Sequence, residues 1–253
     1  DPRRRARAGV GLGVVALQGG RLDAALDALS AALVDAELAG DVRTAALAGL
    51  DLAEARAIRG ELADALRCAR RALDHARALG DRALEAKCGR ALGQVLLDVG
   101  QPAEAERVLA DAAALARAVG VDEARVSATV LRARASLDLR PGDPVAAAVA
   151  LDRLLPITSP ARDPEGFDAM LLAVRARALA FAGDHGRARE ALGLARQRAT
   201  GVSLEMRARA LAECCRAALA TGEAGQAREV AIVLRSCALE HRLGLSLWEA
   251  EAM

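Results

Sequence analysis

The chain has 253 residues, 53% of them hydrophobic but only 1% aromatic, with 35 Lys and Arg against 34 Asp and Glu. This balance excludes a global attraction to nucleic acid or to an anionic membrane surface, and no apolar run approaches the roughly 20 residues of a membrane span. Most of the apolar content is Ala, Leu and Val, which suits closely packed helices and not strands.

At the start, Arg3, Arg4, Arg5 and Arg7 precede an apolar stretch from Ala8 to Leu17. That order resembles the charged and hydrophobic regions of a secretion signal. No A-x-A site follows, and the segment keeps the register of the repeat described next, so it reads as a helix. The chain opens on Asp1 and not Met, as a piece of a larger protein would.

Gly20, Gly60 and Gly100 recur every forty residues, and so do Gly40, Gly80 and Gly120. Helices are expected over Arg21 to Ala39, Glu61 to Leu79 and Gln101 to Val119. In the first of these, Leu22, Ala25, Leu26, Leu29, Ala32, Leu33 and Ala36 follow helical spacing. Each glycine can take the left-handed conformation that ends a helix, and Asp41, Asp81 and Asp122 are placed to cap the next. The unit is a helical hairpin closed by glycine turns. The expected units are about 6–45, 46–85, 86–125, 126–163, 164–203 and 204–241 of one repeat domain, 1–253.

The fourth unit is irregular. A helix over Val126 to Leu139 stops at Arg140-Pro141-Gly142-Asp143-Pro144, a short one covers Val145 to Leu155, and a proline-rich loop spans 156–164. Asp163 then caps a helix with Pro164 at its first position. The last segment, 243–253 with Trp248, reads as the opening helix of a further unit.

The small residues Gly13, Ala53, Gly93 and Ala176, the turn glycines Gly20, Gly60, Gly100, Gly183 and Gly222, and Ala25, Ala65, Ala105, Ala188 and Ala227 stand at constant offsets. In this pattern the chain resembles the tetratricopeptide-repeat family, in a long-period form of about forty residues found in bacterial regulators. The HEAT repeats have a similar period but not these Gly and Ala positions. The resemblance implies an all-α, right-handed α-solenoid of stacked antiparallel helix pairs. It also implies a groove, lined by the first helix of each unit, that holds an extended peptide or partner helix.

Carried onto this sequence, the groove positions are Val14, Glu54, Gln94, Arg134, Arg177 and Arg216, with Asp51, Lys87, Arg90 and Arg209 beside them. They predict an acidic end near Asp51 and Glu54. At the other end, Arg134, Arg177 and Arg216 would form a solvated ladder suited to carboxylates, or a surface neutralised by Glu205 and Glu213. Chemistry is otherwise sparse. His75, His185 and His241 are isolated, and no metal, nucleotide or nucleophile motif is present. The run Gly9-Val10-Gly11-Leu12-Gly13 lacks the last glycine and the preceding strand of a phosphate loop, and Gly9 and Gly13 read as helix-packing positions.

The five cysteines, Cys68, Cys88, Cys214, Cys215 and Cys237, lack metal or disulfide spacing and suit buried thiols in a reducing cytoplasm. No enzyme, cofactor, metal, nucleic-acid or membrane role is expected. The expectation is a cytoplasmic interaction scaffold of a bacterial regulatory or signalling protein, with a protein or peptide segment as partner, an acidic one among the candidates. The alternative is a ligand- or peptide-sensing domain of a transcription regulator, signalling ATPase or kinase.

Overall fold

The computed structural model describes residues 1–139, 142–156, 167–202, 204–241, 243–244 and 250. All but the first residue of the expected loop at 156–164, with Asp163, and the terminal segment around Trp248 lie outside them. Among the described residues the regular structure is helical, with no strand. In order come α1 (Pro2–Gln18), α2 (Leu22–Leu38), α3 (Val42–Arg59), α4 (Leu62–Leu79), α5 (Arg82–Asp98), α6 (Pro102–Val119) and α7 (Asp122–Asp138). There follow α8 (Pro144–Asp152), α9 (Phe167–Phe181), α10 (His185–Arg198), α11 (Leu204–Ala220) and α12 (Ala224–His241). The chain forms two compact units, Asp1–Ala128 and Thr129–Met253, the first ending within α7.

Both units are built from one turn. At Gly60 (φ 90) and Gly100 (φ 79) the backbone enters the left-handed region, which a side chain disfavours. The next N–H then reaches back to the carbonyl five residues earlier, Glu61 to Arg56 and Gln101 to Leu96, both at 2.9 Å or less. Asp184 to Leu179 and Glu223 to Ala218 repeat it in the second unit. These bonds satisfy carbonyls that a helix end leaves orphaned. Asp41 and Asp81 cap the following helices through the Thr44 and Leu84 amides. Asp122 does not take the expected capping place. It is the first residue of α7, and its carboxylate pairs with Arg125 at 3.0 Å. Here Val121 intervenes between the glycine and the aspartate, and so shifts the acid into the helix.

Close crossing of paired helices depends on missing side-chain volume. A Cβ on Gly13 would stand 2.4 Å from Leu29 Cγ, and one on Gly93 would stand 2.3 Å from Leu109 Cγ. Gly9, Gly49 and Gly89 approach Ala32, Ala72 and Ala112 in the same way. Gly9 and Gly13 therefore serve packing, whereas Gly11 faces open space, and the segment that resembles a secretion signal forms α1 against α2. Ala25, Ala65, Ala105, Ala188 and Ala227 are all buried, as expected from their offset.

Candidate functional site

In the first unit, α3 and α5 lie side by side and bring Asp51, Glu54, Lys87 and Arg90 together, with Gln94 one turn beyond Arg90 on α5. Leu52, Ala53 and Ala55 turn into the core and leave Asp51 and Glu54 three residues apart on the remaining face. Arg90 reaches across from α5 to an ion pair with Glu54, both side chains about four-fifths covered. Gln94 is buried and donates to Asp98 Oδ1 at 2.8 Å. Lys87 is exposed. Asp51 is half-buried, and no hydrogen bond to another described residue holds its carboxyl. Burial pushes this carboxyl up to about 7, with the Glu54 charge adding to the rise, against the pull of Arg90 and Lys87. The expected acidic end is therefore compensated: one carboxylate is paired and the other is half protonated near neutral pH.

In the second unit the expected arginine ladder takes another form. Arg134, Arg177 and Arg209 retain only 5%, 7% and 8% exposure, so they are buried and not solvated. Their centre is Glu213, fully buried on α11. Arg134 Nε lies 2.8 Å from Glu213 Oε1, Arg216 Nη1 2.6 Å from the same oxygen, and Arg177 Nη1 3.5 Å from Oε2. Arg177 also pairs with Asp138, donates to the Leu137 carbonyl at 3.4 Å, and lies over the Phe181 ring at 5.5 Å. Burial alone works to raise the Glu213 carboxyl. The surrounding Arg216, Arg134 and Arg177 charges outweigh it and hold the carboxyl at about 2. Arg134 and Arg177 are thus committed to internal carboxylates, which corrects the expectation that they stand free for a partner. Arg216 alone of the three keeps appreciable side-chain exposure, 26%.

Sequence reasoning placed Glu213 among surface neutralisers and overlooked Asp98 and Asp138. A signal was present, because both stand four residues after a groove position, behind Gln94 and Arg134. Among the described residues, no three His, Cys, Asp or Glu side chains are grouped to hold a metal. All five cysteines are free thiols, four of them buried. No described helix is long and apolar enough to cross a membrane.

No family model and no curated protein sequence matches the chain. Solved structures do. A Rap protein complexed with competence and sporulation factor superposes with a TM-score of 0.75 at 19% identity, over 95% of this chain and 66% of that one. NprR in complex with its cognate peptide NprX gives 0.68 at 12% identity, over 99% and 72%. PilF of Pseudomonas aeruginosa gives 0.58 at 20% identity, over 99% and 98%. The chain spans just under two thirds of the Rap protein's length. At these identities the likeness is one of fold.

Proposed function

We propose that this chain, an α-solenoid of the tetratricopeptide type, is a binding module of a regulatory protein. Its ligand is an extended peptide or protein segment, and the α3–α5 face receives it. The observation that carries this reading is Asp51. A half-buried carboxyl without a hydrogen-bond partner is costly, and one poised near neutral pH can donate to a backbone carbonyl or accept from an amide. Perturbed groups of this kind cluster at functional sites. Lys87, exposed beside it and the only lysine of the chain, supplies a cation for an acidic side chain of the segment. Arg90 and Gln94 hold the floor, already engaged with Glu54 and Asp98.

Two fold neighbours support a segment as ligand, since the Rap protein and NprR were each solved with a bound factor or peptide. Free thiols throughout fit a reducing, cytoplasmic setting. The arrangement offers positioning and charge, not a nucleophile with a base, so binding is the reading and catalysis is not.

The test is selection of peptides from a random display library on the intact chain, followed by measured affinities. Asp51→Ala and Lys87→Ala should each weaken the selected peptides by about tenfold or more, as loss of a hydrogen bond to a charged group does. Added salt should reproduce much of the Lys87 effect. Peptides that bind both variants as tightly as the native chain would place the segment elsewhere.

A further inference from the structure

A second site emerges when equivalent positions of successive repeats are compared. On each unit a notch opens between two consecutive second helices and the first helix between them. In the first unit, Leu73 and Arg77 of α4, Glu85 and Gly89 of α5, and Val108 and Asp111 of α6 line a notch of about 50 Å³. Arg77 and Glu85 bridge it at 3.1 Å. One repeat earlier, Glu37 of α2 and Arg71 of α4, at the positions of Arg77 and Asp111, link the two second helices directly at 2.5 Å.

The same positions in the second unit hold different residues. Counted from the turn glycines, Thr200 stands where Arg77 does, and Arg207 where Glu85 does. Likewise Arg196 replaces Leu73, Leu211 replaces Gly89, and Val233 replaces Asp111. The bridging ion pair cannot form, because one partner has become a hydroxyl and the other has changed sign. The notch, lined by α10 and the short 3-10 turn Ala199–Gly201 after it, α11 and α12, holds about 290 Å³, close to the lower bound of about 300 Å³ for small-molecule pockets.

Its chemistry is amphipathic. Ala199, Leu211 and Val230 are buried and form the floor, with Val233 beside them. Arg196, Thr200, Arg207 and Glu229 form the rim. Arg196 and Glu229 approach only to 4.0 Å, and the Glu229 side chain is 73% exposed. Arg207 has no carboxylate partner among the described residues. With two arginines against one glutamate the rim carries an excess positive charge, set over an apolar floor.

We propose that this notch binds a small aliphatic carboxylate, the carboxylate on Arg207 and the branched or straight chain on Ala199, Leu211 and Val230. The site lies on other helices than the α3–α5 face, and goes beyond the segment-binding reading. Two sources present this chemistry, a free short-chain acid and a peptide whose last residue is aliphatic.

The experiment is a calorimetric and methyl-NMR titration of the intact chain with 4-methylpentanoate, and in parallel with a short neutral peptide ending in leucine. The corresponding amides serve as controls. We expect saturable binding in the millimolar range or tighter, with shifts at the Val230 and Val233 methyls. Amidation and Arg207→Gln should each weaken it by about tenfold or more. The double variant Thr200→Arg with Arg207→Glu, which installs the residues of the closed notch, should abolish binding and leave the melting temperature unchanged. Saturation by either acid that is lost on amidation supports the site, and the acid that binds names the source. No saturation by either acid overturns the proposal. So does equal binding of the amides, or an unchanged affinity in Arg207→Gln.

Discussion

The Nε of Arg134 stands 2.8 Å from Oε1 of Glu213, and neither side chain is more than 6% exposed. Arg177 and Arg216 share the same carboxylate. Removing one partner of a buried ion pair leaves an uncompensated charge and costs about 3–5 kcal/mol. Glu213→Gln should therefore lower unfolding stability by about that much in urea at neutral pH. Arg177→Ala should also destabilise, since it strands Asp138 as well. A Glu213→Gln loss below about 1 kcal/mol would show that the three guanidinium groups find enough water to do without the carboxylate.

The Asp51 and Glu213 carboxyls act on stability with opposite sign. Glu213 is held at about 2 in the folded chain against an ordinary 4.5. Its contribution is complete above pH 4.5 and is lost as pH falls toward 2. Asp51 is raised from 3.8 to about 7, so the folded chain binds the extra proton between these values. That contribution fades as pH rises through the window. Urea midpoints measured across pH should show a shallower acid limb in Glu213→Gln. Asp51→Asn should gain stability relative to the native chain at pH 8 and not at pH 3. Parallel curves for Asp51→Asn and the native chain would exclude the raised carboxyl.

Gly11 and Gly13 are two residues apart in α1 and should respond oppositely to the same substitution. Nothing lies within 4 Å of a Cβ built on Gly11, whereas one on Gly13 meets Leu29 Cγ at 2.4 Å. Gly11→Ala should stabilise by about 0.5–1 kcal/mol through helix propensity. Gly13→Ala, and Ala65→Leu at the fully buried Ala65 of α4, should destabilise by about 1–3 kcal/mol through overpacking. Equal effects at Gly11 and Gly13 would contradict the α1–α2 crossing.

The thiols offer an independent check of the core. Burial pushes Cys88 and Cys214 up to about 12, and the thiolate is the reactive form. An aromatic disulfide reagent should titrate five thiols after denaturation without reductant. In the native chain Cys68, which is only half-buried, should react first and the others only as the helices open. A count below five that reductant restores would reveal a bridge.

What the sequence determined by itself is the repeat. A left-handed turn needs glycine, and a close helix crossing needs a missing or minimal side chain. Both demands are local, recur at each unit, and are visible in Gly60, Gly100, Gly13 and Ala65 without knowledge of any neighbour. Asp51, Glu54, Lys87 and Arg90 were legible as one face for the same reason, because helical spacing and the repeat register place them there. The fate of each charge was not legible. Arg177 and Arg216 occupy one repeat position. Yet Arg177 is sealed between Asp138, 39 residues before it, and Glu213, 36 residues after it, while Arg216 keeps an edge to solvent. The notch beside Arg207 likewise takes its lining from three helices and the turn after α10. Packing across neighbouring repeats decided these matters, since burial and pairing depend on which side chains arrive from units a full period away in sequence.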